Sequence, residues 1–353
     1  MAGRYADQPK LLMKKIFLLF LLMCLAAAKI QAQDPAFSQF FASPLTLNPA
    51  LTGKFNGDVR VAGNYRDQWP TINNAFITST LSVDMPIFRN KLPENNTWGI
   101  GIMGMSDKTA SGALNSNYIS LSTAYHISLD EDGYHQLGLG FQGTYASKIL
   151  DGTKLHFEDQ LDQQGGWSLP SQDAISGHQV NINYFDMGVG LLYNGTTTGA
   201  NNFYAGASVY HINSPKESFL GDDSYILHPR ITVHGGASLP VTDNGYIHLS
   251  GLYSRQDAAS NFVVGGAWSI NVSNANDNPT NVYVGSWVRF SNVTDALIPY
   301  VGLDFGSFTL GLSYDVNISA LKTASQSQGG IEISLVYIKK ASDGRKSIPC
   351  PKF

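Results

Sequence analysis

Cysteine is almost missing from this chain. Of its two cysteines, Cys24 lies in an apolar stretch at the N-terminus and Cys350 stands near the C-terminus, so removal of that stretch leaves no intrachain disulfide. An exported protein of this kind must be held together by its fold alone. Charge is scarce too: 14% of residues are Asp, Glu, Lys or Arg, against about 25% in a typical soluble domain, which argues against an ordinary water-facing surface. The formal charge of −4 and the lack of a basic cluster exclude a nucleic-acid-binding face. After Ala32 no apolar run reaches the ~18 residues of a transmembrane helix. Nor does any stretch there keep a helical period between caps, so a helical membrane protein and a helical bundle are both excluded.

What is present begins with Lys14-Lys15, the apolar run Ile16–Ala28 and a close on Ile30-Gln31-Ala32. That run is about thirteen residues where ~20 are needed to span a bilayer, and it is read as a cleavable signal peptide. Cleavage is expected after Ala32, with Met13 as the true start. Leu21-Leu22-Met23 lacks the small residue that a lipoprotein signal places before its cysteine. The expected organisation is a signal region over 1–32, a Pro/aromatic-rich segment over 33–55, a β-domain over 56–340 and a periplasmic tail over 341–353.

Beyond residue 55 the period is two. In Ile77–Met85, Ile77, Leu81, Val83 and Met85 fall on one face and Thr78, Thr80, Ser82 and Asp84 on the other. Phe308–Asp315 repeats the pattern. Strands are predicted near 57–66, 76–86, 97–106, 114–127, 134–147, 183–194, 201–212, 229–240, 244–254, 260–271, 281–290, 296–304, 307–316 and 329–339. These fourteen, with abundant Gly, 17 Tyr and 18 Phe, point to an all-β, transmembrane antiparallel β-barrel. An even count returns both mature termini to one side, taken as periplasmic, and places the longest connection, Lys148–Ile182, outside. Connections Ile87–Asn96 and Val272–Thr280 are long for periplasmic turns. A soluble sandwich or propeller is the alternative, disfavoured by an expected interfacial girdle of Tyr65, Trp69, Trp98, Tyr134, Tyr193, Tyr246, Trp287 and Tyr300.

Motifs that usually carry chemistry dissolve on inspection. Gly99/Gly101/Gly104 and Gly138/Gly140/Gly143 match Gly-x-Gly-x-x-Gly, but each lies inside an alternating strand and opens no helix, so no dinucleotide site follows; glycine there is expected to relieve crowding by aromatic side chains. His126, His135, His156, His178, His211, His228, His234 and His248 lack metal-ligand spacing and are read as lumen or loop residues. Glu158, Asp159, Asp162 and Asp173 match no calcium loop. No Gly-x-Ser-x-Gly occurs, and Ser120 or Ser122 with His126 is the one imaginable hydrolase set. No enzyme, cofactor or metal is expected.

Residues 33–55 are broken by Pro35, Pro44 and Pro49, yet carry Phe37, Phe40, Phe41, Leu45 and Leu47. Too polar for a strand and too apolar for a free tail, the segment is expected to bury itself as a lumen plug or against a periplasmic partner, with Phe37, Phe40, Phe41, Asn48 and Pro49 as its key residues. The inward sets, mainly Ser, Thr, Asn, Gln and Gly, favour a plugged barrel over a channel with a charged constriction.

Several blocks together resemble the PorP/SprF family of Bacteroidetes outer-membrane proteins. They are Gln33-Asp34-Pro35-x-Phe37-Ser38-Gln39-Phe40, Pro44-Leu45-x-Leu47-Asn48-Pro49-Ala50 and Asn64-Tyr65-Arg66-Asp67-Gln68-Trp69-Pro70, then Lys154-Leu155-His156-Phe157-x-Asp159-Gln160, Phe185-Asp186-x-Gly188-x-Gly190, Tyr204-x-Gly206-x-Ser208-x-x-His211 and the Ile348–Phe353 ending. The resemblance implies a non-catalytic barrel of the type IX secretion and gliding-motility system, one that binds the C-terminal sorting domain of a large secreted adhesin and helps to export or anchor it. Periplasmic motor or ring proteins and peptidoglycan-associated lipoproteins would be further partners. Arg66, Trp69, Phe157, Trp167 and Phe219 are chosen as partner-binding residues because Arg and aromatic side chains dominate binding hot spots. A passive porin is the alternative function.

Overall fold

Alternation along the sequence becomes two faces in space, and the apolar face is the outer one. In the strand Phe308–Asn317, Phe308, Leu310 and Leu312 are about half exposed, whereas Ser313 and Asp315 are each 2% exposed. In Phe76–Ile87, Leu81 is 60% exposed while Thr78, Thr80, Ser82 and Asp84 are buried. A water-soluble protein does the reverse; apolar-out and polar-in is the pattern of a barrel surrounded by lipid.

The computed structural model describes residues 34–340 apart from 71, 73–74, 90, 223–224, 274–279, 292–294 and 320–325. The expected signal peptide, its cleavage after Ala32, and the tail 341–353 with Cys350 lie outside the described residues. Fourteen strands form one closed antiparallel ring: β1 (Val59–Gln68), β2 (Phe76–Ile87), β3 (Thr97–Thr109), β4 (Leu114–Ser128), β5 (His135–Asp151), β6 (Gln179–Gly195), β7 (Asn202–Tyr210), β8 (Arg230–Thr242), β9 (Gly245–Gln256), β10 (Ala259–Asn271), β11 (Thr280–Ser291), β12 (Ala296–Phe305), β13 (Phe308–Asn317) and β14 (Gln328–Lys339). β14 closes on β1, with Gly63 opposite Leu335. A sandwich would have left free edges; this ring joins every strand to two neighbours.

Connections 152–178, 211–229 and 318–327 share one end of the barrel, and the short links 243–244 and 306–307 the other. The connection 152–178 is shorter than expected from sequence because β5 and β6 each run 17 residues, well past the ~9–11 that cross a bilayer. Two of the expected girdle residues are in the interior: Trp287 is 1% and Tyr300 3% exposed, whereas Tyr65 and Trp98 do face outward. Nearness to a strand end is a poor guide to side; parity decides, and Trp287 shares its parity with the buried Tyr283 and Arg289.

Leu121 stands midway along β4 and is 64% exposed. Leu121→Arg is expected to destabilise the folded barrel in bilayers by about 2–4 kcal/mol, read by urea titration in lipid vesicles.

Candidate functional site

The inner wall encloses the chain's own N-terminal segment. Its prolines cannot join a ladder but suit the first turn of a helix, and the segment folds as three single turns, Phe40–Ala42, Pro44–Leu47 and Pro49–Leu51. Asn48, extended between the last two, caps the third: its side chain accepts from Ala50 N at 2.8 Å. Partners come from every strand from β1 to β8 and from β11 to β14. A segment met from so many strands of the ring lies inside it.

Four buried charges hold the first part. Glu332 accepts two successive backbone N–H groups, Ser38 at 2.7 Å and Gln39 at 2.9 Å. Ser38 Oγ donates to Asp315 at 2.8 Å and accepts from Arg66 at 2.7 Å and Arg289 at 3.1 Å. Arg66 and Arg289 both reach Asp315, at 2.7 and 2.5 Å, and Arg66 lies 3.4 Å from Glu332. Two cations balance two anions, and every one is less than 8% exposed. The inner wall is therefore not merely Ser, Thr, Asn, Gln and Gly. Gln39 adds bonds to Ser313, the Glu332 carbonyl and Ser334, and Phe41 packs on Trp287 and Tyr300 with ring centroids 5.0 and 5.6 Å apart.

The second part sits in a groove made by glycine. A Cβ on Gly190 would lie 1.8 Å from Asn48 Oδ1, and one on Gly140 2.3 Å from Ala50 N. Asn48 Nδ2 donates to the Leu191 and Ala207 carbonyls at 2.9 and 3.3 Å and faces His234 Nε2 at 3.0 Å. Glycines of the two Gly-x-Gly-x-x-Gly stretches thus serve two ends: Gly140 and Gly99, which abuts Thr52 and Gly53, make room for backbone, whereas Gly138 and Gly143 face the His126 and Phe185 rings as aromatic crowding would require. The third part is pinned where β1 begins. Arg60 grips Asp84 through two bonds at 2.9 and 2.8 Å, Gly53 N donates to Asp84 at 2.7 Å, and Arg60 also reaches the Leu51 carbonyl. Lys54 donates to Gln136. Ser38 meets the long-connection ends of β1, β11, β13 and β14, and Gly53 and Lys54 meet the opposite ends of β2 and β5. The segment therefore crosses the lumen lengthwise.

Of the chosen partner-binding residues, Arg66 is buried in this network, because its parity in β1 points inward. The other four lie at the long-connection end. Trp69 follows β1 with φ 57° and packs edge-on against Phe76 at 5.5 Å. Trp167 is 49% exposed and stacks on His156 at 5.1 Å, while Phe157 and Phe219 are half-buried. The connection bearing Phe219 is tied to β5 and β6 by Glu217, which takes Lys148 at 2.6 Å and the Tyr184 hydroxyl at 3.2 Å. Sequence reading passed over Ser38, Arg60, Asp84, Arg289, Asp315 and Glu332. For the five charged ones the signal was charge at inward parity within strands that otherwise carry small polar residues; Ser38, a neutral residue of the lumen segment, carried none.

Ser120, Ser122 and His126 face the interior, at 1%, 7% and 1% exposure, and Ser120 pairs with Thr144 while Ser122 accepts from Thr52. His211, His234 and His248 are buried inside as well. Among the described residues no group of three or more His, Cys, Asp or Glu is placed to hold a metal ion. The loop acids fold their own connection: Asp162 accepts from Ser168 Oγ at 2.6 Å and Gly166 N at 2.7 Å, and Asp159 from Gln172 N at 2.6 Å. Donors, Ser168 for Asp162 and Ser171 for Asp159, hold both carboxyls below the usual carboxylate range. Depressed folded-state values mean that this contribution is complete above the ordinary Asp pKa of about 4 and is lost as pH falls below it. Hydrogen exchange in 158–173 should be unchanged from neutral pH down to about 4 and speed up, relative to the intrinsic rate, only in stronger acid.

A family model for the type IX secretion system membrane protein PorP/SprF matches residues 29–337. No curated protein matches the chain. Similar solved structures include the toluene transporter TbuX of Ralstonia pickettii, 10% identical over 85% of this chain and 93% of that one with a TM-score of 0.48. The CymD monoaromatic hydrocarbon channel is 13% identical over 87% and 95%, TM-score 0.46, and a Pseudomonas aeruginosa FadL homologue 9% over 88% and 95%, TM-score 0.44.

Proposed function

The chain belongs to the PorP/SprF family of type IX secretion system membrane proteins, and from that premise we propose that it is a non-catalytic outer-membrane barrel that binds rather than conducts. Its client is the C-terminal sorting domain of a secreted surface adhesin, which the barrel helps to export or to anchor. One observation carries this reading: the lumen is occupied by the protein's own segment, gripped by strands from around the ring. A solute path would have to displace four buried charges and a backbone stretch seated among glycines.

Trp69, Phe157, Trp167 and Phe219 are the client-facing side chains, at the end bearing the long connections, and Arg66 serves the barrel by holding its plug. The opposite end, with the short links, meets periplasmic motor or ring proteins and peptidoglycan-associated lipoproteins. Purifying a tagged copy from native membranes in mild detergent, followed by mass spectrometry, tests the proposal. A large secreted protein with a C-terminal sorting domain is expected in near-stoichiometric amount. A barrel that emerges alone and conducts ions would instead be a porin.

A further inference from the structure

One strand of the ring outlasts its neighbour. β6 pairs with β5 from Gln179 to Gly195, but with β7 only from Val189 to Gly195. β7 ends at Tyr210, and positive φ at His211 and Ser214, 59° and 43°, turns the chain away. Before leaving, Asn213 imitates one more peptide of the missing strand: its Oδ1 accepts from Met187 N at 3.0 Å and its Nδ2 donates to Phe185 O at 2.7 Å, while Ile212 N reaches Met187 O.

These bonds fix the direction of the rest of the edge. Backbone groups alternate sides along a strand. Since Met187 and Phe185 present theirs away from β5, so do Asn183 and Asn181. Among the described residues nothing bonds to those peptide groups on that side, and both side chains are exposed. β6 is far longer than the ~9–11 residues that cross a bilayer, so this edge rises beyond the lipid at the end of the long connections. An uncovered edge of this kind is a template for a further strand.

We propose that the β6 edge at Asn181 and Asn183 is a strand-addition site for an extended, basic segment of the secreted client, an inference that rests on the client-binding reading above. Backbone complementarity selects an extended chain. Charge selects a basic one: the flanking connections expose Glu158, Asp159, Asp173 and Asp222 against Lys154 and Lys216.

The test uses the purified full-length barrel and a fluorescent synthetic peptide of alternating Lys and Val, beside the same peptide methylated on alternate backbone nitrogens. The barrel variant carries Asn181→Pro and Asn183→Pro, which remove edge donors without touching the ladder to β5. Binding is expected to fall about tenfold for the methylated peptide and for the variant, and to weaken with salt. Undetectable binding, equal binding by the methylated peptide, or wild-type self-association abolished by the prolines would overturn the inference; the methylated peptide keeps the test alive should the variant misfold. Client co-purification then separates the two readings. A client retained by the folded proline variant overturns the edge site and leaves client binding standing, whereas a client absent from the wild type overturns client binding itself.

Discussion

Asp315→Ala will destabilise the barrel by about 3–5 kcal/mol and free the first part of the lumen segment. Arg66 and Arg289 both contact Asp315 directly, at 2.7 and 2.5 Å. Its removal takes a shared carboxylate from two arginines, each under 8% exposed. A buried charge deprived of its partner costs about 3–5 kcal/mol, far beyond the ~1 kcal/mol of an exposed ion pair. Ser38 loses its acceptor at the same time. Two readouts follow: a lower urea midpoint in detergent, and protease cleavage between Pro35 and Ser43 that the wild type resists. An Asp315→Ala protein as stable and as protease-resistant as wild type would mean that the network is not what holds the segment.

Gly190→Val is expected to act on the other half with little effect on the ring itself. Its Cβ would stand 1.8 Å from Asn48 Oδ1 and 3.2 Å from Pro49 Cδ, closer than packing can absorb, and the neighbouring β5 and β7 restrict any retreat of β6. Overpacking of a core typically costs about 1–3 kcal/mol. Here the intruding atoms meet a segment joined to the wall only by side-chain bonds, so the cheapest response is expulsion of Asn48-Pro49-Ala50 rather than unfolding. The β5–β6–β7 ladder should survive, seen as unchanged heat-modifiable migration, while the lumen opens and the variant conducts ions in planar bilayers. Asn48→Ala offers the milder comparison: it removes the bonds to Leu191, Ala207 and Ala50 without a clash, and should loosen the segment by about 1–3 kcal/mol.

The strands were legible because a two-residue period survives wherever one face meets lipid, and Leu81 against Ser82 or Leu312 against Ser313 states it plainly. Their number and order followed. Their lengths did not, since β5 and β6 stay paired past the membrane, where the outward face of β6 turns polar at Asn183, Asn181 and Gln179 and the apolar alternation stops. The burying of residues 35–55 was legible from three prolines among aromatic residues, but the route was not: Ser38 meets Glu332 across 294 positions of sequence, a distance no local pattern encodes. Arg66 shows the same limit. As an arginine beside a turn it read as a surface hot spot, and only the parity of β1 turns it inward. Trp287 and Tyr300 repeat the lesson for aromatic residues, which the lumen uses to hold Phe41 as readily as an interface would use them to hold lipid.

Single-channel recording of the purified wild-type protein in planar bilayers tests the central claim most directly. A lumen filled by Pro35–Phe55 predicts a silent baseline, with stable openings appearing in Gly190→Val. Steady open-channel current from the wild type, unchanged in that variant, would contradict a barrel closed by its own N-terminal segment.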